Sequence, residues 1–80
     1  MLHEVLAWNP LSPEAHAERA KLLASNGEWE KVVEEGEFVL RNAGENMELL
    51  RAAHVLLARA YYRLNQPEKA QLHESWIKSH

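Results

Sequence analysis

The chain of 80 residues contains no cysteine, so neither disulfide bonds nor thiolate metal ligands can stabilise it. It has no run approaching about 18 consecutive apolar residues, the length that a membrane-spanning helix requires. Its formal net charge is only −3, which argues against a nucleic-acid surface. We therefore expect neither a membrane nor a nucleic acid among its partners.

Targeting signals are also lacking at the start of the chain. The first ten residues, MLHEVLAWNP, carry no basic stretch and are too polar for a secretory signal. We therefore expect a soluble, cytoplasmic protein. A chain of this length forms one domain at most, and its hydrophobic core should be thin.

Strand signals are scarce, because valine is infrequent and apolar residues do not alternate with polar ones. Alanine, leucine, glutamate, lysine and arginine dominate instead, and all of them favour helices. Ser12 and Asn46 can cap helices, whereas Gly27, Gly44 and Asn65 can end them. The predicted helices cover residues 13–25, 28–42, 47–64 and 67–79. Since the connections are short, we expect an all-α fold of antiparallel helical hairpins.

The second half of the chain repeats the pattern of the first when Gly27 is aligned with Asn65. In this self-alignment two expected helix ends coincide. Apolar or aromatic residues also fall on one another, and cations fall on cations. The clearest pairs are His16 and His54, Ala20 and Ala58, Lys21 and Arg59, Phe38 and Trp76, and Val39 and Ile77. Such self-similarity indicates a repeated helix–turn–helix unit.

This unit resembles the tetratricopeptide repeat (TPR), a helical hairpin of about 34 residues. The segment HVLLARAY matches the family's first helix at four positions, His54, Leu57, Ala58 and Tyr61. Ala70 matches the small residue of the second helix, and HAERAKL fits more loosely, with Arg19 where leucine is usual. Pro10 matches the closing proline, which makes residues 1–10 the tail of a partial repeat.

The resemblance implies one domain over residues 1–80, stacked as a short right-handed TPR-like superhelix. It would contain a short N-terminal helical segment, a first hairpin at 13–44 and a second at 46–79. Two departures stand out. The repeat is longer than that of the family by about one helical turn, and Gly36 occupies a usual aromatic position. We expect Tyr61 or His54 to fill the space beside Gly36, and Trp29 to anchor the first turn against the core.

In the family, the first helices of successive hairpins line a concave groove through which the module binds a protein or peptide. The corresponding residues here are Lys21, Arg51, Val55, Arg59, Tyr62 and Arg63. Four of them are cationic, whereas acidic residues gather at 28–37 on the second helix. We therefore expect a scaffold, adaptor or chaperone-like protein whose basic groove binds an acidic peptide. The Lys-and-Asn carboxylate clamp of chaperone-binding members is not matched, because Ala17 and Val55 occupy its polar positions.

Apolar residues at both ends of the chain leave a structural alternative open. The expected interface residues are Leu2, Leu6, Trp8, Leu72 and Trp76. They could support a homodimer or stacking within a longer repeat protein, since a terminal repeat normally presents a polar outer surface. Alternatively, both ends could fold back on the hairpins as caps.

Catalytic and metal-binding patterns are missing. His16 and His54 occupy equivalent positions inside the hairpins and could meet there with a carboxylate, but no HExxH or HxxxH motif accompanies them. Neither a glycine-rich phosphate loop nor a Ser-His-Asp set can be assembled. We expect no enzyme activity, no cofactor and no metal.

Overall fold

The computed structural model describes residues 12–80, which form four α-helices and no strand. The helices are α1 (Pro13–Ser25), α2 (Trp29–Asn42), α3 (Met47–Arg63) and α4 (Pro67–Ser79). The prediction of an all-α chain is thereby confirmed, and each helix begins and ends within one residue of its expected position. The helical segment and partial repeat expected at residues 1–10 lie outside the described residues.

The expected capping residues begin α1 and α3. The Ser12 hydroxyl accepts a hydrogen bond from the backbone N–H of Ala15 (3.1 Å), and Pro13 follows in the first helical turn. The Asn46 side-chain oxygen accepts one from the N–H of Leu49 (3.2 Å). Each cap satisfies a backbone donor that has no partner within its own helix.

The same hydrogen-bonded motif ends α1 and α3. Gly27 has φ +75° and Asn65 has φ +63°, so both adopt the left-handed conformation. The N–H of Gly27 donates to Ala24, and that of Glu28 donates to Leu23. After α3, the N–H of Asn65 donates to the carbonyl of Tyr62, and the N–H of Gln66 donates to that of Tyr61. In the self-alignment these four residues stand opposite Gly27, Ala24, Glu28 and Leu23, in that order. These are Schellman motifs, and they show that the self-alignment of the sequence corresponds to equivalent backbone positions.

Three or four residues connect successive helices, so α1 and α2 form one antiparallel hairpin and α3 and α4 form another. Helix α3 packs against α1 as well as against α2, which places the first helices of the two hairpins side by side. Among the described helices, α4 contacts α3 alone. One surface of α3 therefore lies between α1 and α4.

Small residues dominate the core of the described range. Ala20, Ala60 and Ala70 are completely buried, together with Val32 and Leu57. Alanine in these positions lets the helix backbones approach closely, while valine and leucine fill the remaining space. The thin core expected from the chain length is therefore built mainly from close helix–helix contact.

Helices α2 and α3 are in close contact at Gly36. A Cβ atom at this position would lie 2.7 Å from Cγ and 2.8 Å from Cδ2 of Leu57. Leu57 is completely buried and occupies the space that a larger residue would need. The expectation that Tyr61 or His54 fills this space is therefore wrong, because Leu57 faces α2 directly.

Trp29 packs at the edge of the core. Its ring lies against the buried cluster of Ala20, Val32, Leu56 and Ala60, but it is only half-buried. The Arg63 guanidinium carbon lies 5.6 Å from the ring centroid. The expected anchoring of the first turn is thus reached by a ring that is only half-buried.

Candidate functional site

A groove runs along the surface of α3, bordered first by α1 and then by α4. It consists of three depressions, which we call the acidic end, the middle and the basic end. The acidic end is lined by Glu14, Ala17, Glu18, Lys21, Asn46, Glu48, Leu49 and Ala52. The middle is lined by Lys21, Met47, Glu48, Arg51, Ala52, Val55 and Leu56. The basic end is lined by Val55, Ala58, Arg59, Tyr62, Arg63, Glu74 and Ile77. Shared lining residues join each depression to the next.

The middle depression has a volume of about 550 Å³ and a wall that is almost entirely apolar. Met47 is 47% exposed and Val55 is 37% exposed, although both are apolar. Lys21 and Arg51 border the depression, where their aliphatic stems can extend the apolar wall while the charged ends remain in water. This size falls within the range of small-ligand and side-chain pockets, about 300–1,000 Å³.

The structure brings all six expected groove residues onto this one surface. Lys21 and Arg51 border the middle depression, and Val55 is shared between the middle and the basic end. Arg59, Tyr62 and Arg63 line the basic end. Their role in binding a partner stays a prediction, but they form one continuous surface from α1 to α4.

The cations of the groove differ in how far they are already engaged. Lys21 Nζ lies 3.4 Å from a carboxylate oxygen of Glu18, in an exposed pair that salt screens readily. Arg51 donates a hydrogen bond to the backbone carbonyl of His80 (3.1 Å), and Arg63 lies over the Trp29 ring. Within residues 12–80, no carboxylate forms an ion pair with Arg59. Arg59 is therefore the cation best placed to receive a ligand carboxylate.

The opposite end of the groove is acidic, and its acidic residues were not among the expected groove residues. Glu14 and Glu18 extend from α1 and Glu48 from α3, with Lys21 as the one cation among the described residues that line this end. Glu14, Glu18 and Lys21 follow one another at spacings of four and three residues, which places them on one face of α1. This spacing is the only sign of the acidic end that the sequence contains. The groove is therefore not uniformly basic, and its charge changes sign along α3.

Tyr62 links the two walls of the basic end. Its hydroxyl donates a hydrogen bond to a carboxylate oxygen of Glu74 (2.8 Å), which joins α3 to α4. This hydrogen bond raises the pKa of the Tyr62 phenol above its usual value, with smaller contributions from burial and from the Glu74 charge. This bond does not neutralise the Glu74 carboxylate, so the described lining of the basic end carries two arginines, Arg59 and Arg63, against one acidic side chain.

His16 and His54 lie between the helices of their own hairpins, as expected, and not in the groove lining. His16 pairs with Glu35 and stacks on Phe38 with ring centroids 3.8 Å apart. In the second hairpin, His54 meets His73 with 2.8 Å between their Nδ1 atoms and stacks on Trp76 with centroids 4.2 Å apart. Glu35 aligns with His73 and Phe38 with Trp76 in the repeat, so the two hairpins are equivalent in their side-chain contacts too.

A metal or acid–base role for these histidines finds no geometric support in the described range. His16 and His54 each face the second helix of their own hairpin, so they do not meet. Among residues 12–80, no three histidine or acidic side chains are grouped so that they could hold a metal ion. Burial lowers the pKa of His54 and of His73, which favours the neutral imidazole.

The residues of the alternative interface are only partly accessible. Leu72 is 72% exposed, as a contact residue would be. Trp76 is half-buried, because its ring lies between those of His54 and His80, with centroids 4.2 Å from each. The expected exposed stripe is therefore reduced to Leu72. Leu2, Leu6 and Trp8 lie outside the described residues.

No protein-family model, curated protein or solved structure matches this chain. The resemblance to the TPR family thus stays a prediction made from the sequence. Among the described residues, no helix combines the length and apolar character that crossing a membrane demands.

Proposed function

We propose that this chain is a TPR-like protein–protein interaction module that binds a peptide or helix of a partner in the groove along α3. The repeat assignment is supported by equivalent Schellman motifs and by equivalent histidine contacts in the two hairpins. Side-by-side packing of α1 and α3 is the arrangement that a short right-handed superhelix of such hairpins would have. Its role would be that of a scaffold, an adaptor or a chaperone-like protein.

The observation that carries this proposal is an apolar depression bordered, among the described residues, by two cations, Lys21 and Arg51, and one carboxylate, Glu48. Protein-binding surfaces commonly combine an apolar centre, which excludes water, with a polar rim that selects the partner. Here the middle depression supplies the apolar centre, and Arg51, Arg59 and Arg63 supply positive charge on one side of it. An apolar side chain accompanied by a carboxylate would complement this surface.

Binding is favoured over catalysis by the chemistry of the groove lining. The described lining contains no serine, threonine, cysteine or histidine, the side chains that most often act as nucleophiles or general bases. The histidines of the two hairpins lie between their helices instead. We therefore propose a function that needs no cofactor. The cytoplasmic location stays a prediction.

The test uses synthetic peptides that contain one leucine and several glutamates, titrated against the full chain by fluorescence anisotropy. We expect binding that weakens as salt rises and that is lost in the variant Lys21→Glu/Arg59→Glu. Lys31→Glu is the matched control, because Lys31 is exposed on α2 and does not line the groove. Unchanged binding by the groove variant would show that the groove is not the binding surface.

Self-association is a second candidate, favoured by the exposure of Leu72. Stacked helical repeats bury apolar side chains against the neighbouring repeat, so a further helix or a second copy of the chain could cover Leu72. Light scattering at high protein concentration should then report a dimer that Leu72→Glu converts to a monomer. Leu72→Glu is preferable to a change at Trp76, whose ring stabilises the second hairpin. A monomer at every concentration would remove this candidate.

A further inference from the structure

We propose that the groove selects an extended segment with one apolar side chain and an acidic residue three or four positions away, on one side only. This inference rests on the proposed function and specifies the chemistry of the partner. The apolar side chain occupies the middle depression, and the carboxylate reaches the basic end. Three features of the groove carry the proposal: the distance between these depressions, the supply of hydrogen-bond donors and the change of charge along α3.

The distance follows from the geometry of α3. The α3 residues that line the middle lie within residues 47–56, and those that line the basic end lie within residues 55–63. Their centres are about eight residues apart, which at about 1.5 Å per residue is about 12 Å. An extended peptide advances about 3.3–3.6 Å per residue, so three or four residues span this distance. A helical occupant would need a separation of about eight residues.

The donors at the basic end favour the extended form. An extended segment exposes backbone carbonyl groups that need hydrogen-bond partners, whereas a helix satisfies its own. Arg59 and Arg63 both line this end, and each guanidinium carries five N–H donors. One carboxylate cannot use them all. The surplus can bond the carbonyl groups of a segment that lies extended across Val55 and Ala58.

The acidic end restricts where a ligand can carry negative charge. Glu14, Glu18 and Glu48 line the groove on the other side of the middle depression, and the neighbouring Lys21 is already paired with Glu18. A carboxylate placed there meets like charges, which weakens binding, whereas a lysine placed there meets opposite charges. The groove therefore accepts a segment with a charge order of basic, apolar, acidic and discriminates against one that is acidic on both sides of its anchor.

The test compares labelled peptides in a glycine–serine background, each with one leucine anchor, titrated against the full chain. Four peptides carry glutamate one, three, four or eight residues from the leucine, and each is also made in reverse order so that both chain directions are sampled. Two more carry glutamate at the fourth position on one side and either lysine or glutamate at the second position on the other. The shorter spacing is used there because the α3 residues of the acidic end are centred only about three residues, or about 4 Å, from those of the middle. We expect the three-residue or four-residue spacing to bind up to about fivefold more tightly than the one-residue and eight-residue spacings, the upper range of one exposed ion pair.

Variants of the chain separate the two parts of the inference. Arg59→Gln should reduce the advantage of the favoured spacing, and Glu14→Gln/Glu48→Gln should reduce the difference between the lysine and glutamate peptides. Circular dichroism of each variant checks that the helices remain. Equal affinity for all spacings, or tightest binding at eight residues, would overturn the extended-segment inference while leaving the proposed function intact. Equal affinity of the lysine and glutamate peptides would overturn the one-sided charge rule. Failure of every peptide to bind the folded wild-type chain would instead overturn the proposed function.

Discussion

Replacing Gly36 with alanine should destabilise the protein, although alanine is the better helix former. A new Cβ atom would lie 2.7 Å from Leu57 Cγ, about 1 Å inside the ordinary contact distance between carbon atoms. Cγ is the branch point of the leucine side chain and Leu57 is completely buried, so a simple rotation of its methyl groups cannot relieve the contact. The helices α2 and α3 must therefore move apart or Leu57 must leave its preferred rotamer.

Two opposing contributions set the magnitude of this effect. Overpacking of a closed core costs about 1–3 kcal/mol, whereas exchanging glycine for alanine inside a helix gains about 1 kcal/mol. The difference is a net loss of between about 0 and about 2 kcal/mol, and the contact of 2.7 Å with Leu57 favours the upper part of this range. For a domain of this size, each kcal/mol lowers the melting temperature by about 4–8 °C. Thermal and urea unfolding followed by circular dichroism can measure such a change.

A double-mutant cycle shows whether the contact with Leu57 causes the destabilisation by Gly36→Ala. In a Leu57→Ala background the space beside residue 36 is open, so Gly36→Ala should become neutral or stabilising by up to about 1 kcal/mol. A higher melting temperature for Gly36→Ala in the wild-type background would refute the close packing of α2 and α3. An identical cost in both backgrounds would show that some contact other than Leu57 is responsible.

Two further changes test other contacts of the fold. Burial lowers the pKa values of His54 and His73 below their ordinary value of 6.5, so the unfolded chain binds more protons as the pH falls through that value. The free energy of unfolding should therefore be highest above pH 6.5 and decline below it. A urea midpoint that rises as the pH is lowered from about 7.5 to about 5.5 would contradict this reasoning, and His73→Gln should flatten the decline. Trp29→Ala should cost about 2–3 kcal/mol, less than the ~3–5 kcal/mol of a fully buried tryptophan, because its side chain is only half-buried. A melting temperature lowered by less than about 4 °C would show that the ring contributes little to the core.

The positions of the helices could be predicted because their signals act over a few residues. The caps of Ser12 and Asn46 bond an N–H three residues away, and the turn after α1 needs only the left-handed conformation that Gly27 adopts. Asn65, which the self-alignment pairs with Gly27, adopts the same conformation after α3. These interactions depend on neighbouring residues and hardly at all on what packs elsewhere.

The candidate site could be predicted in part for a related reason. Helical periodicity places Lys21 on one face of α1 and Arg51, Val55, Arg59, Tyr62 and Arg63 along α3. The resemblance to the TPR family implies that these two faces adjoin. The acidic end did not follow from this pattern, because Glu14, Glu18 and Glu48 come together only where α1 lies beside α3. The charge of a groove depends on the residues of both its walls, whereas the periodicity of a single helix predicts the residues of one wall only.

Four helices, their ends and the register that relates one hairpin to the other could all be predicted from the order of the amino acids. Three features emerged only once the helices were packed: Leu57 faces Gly36, Trp76 lies between two histidine rings, and the groove changes sign along α3. A helix forms from bonds between residues three or four apart, so nearby residues specify it. The partner of a side chain on another helix depends on how all the helices pack together, and no single stretch of the chain contains that information.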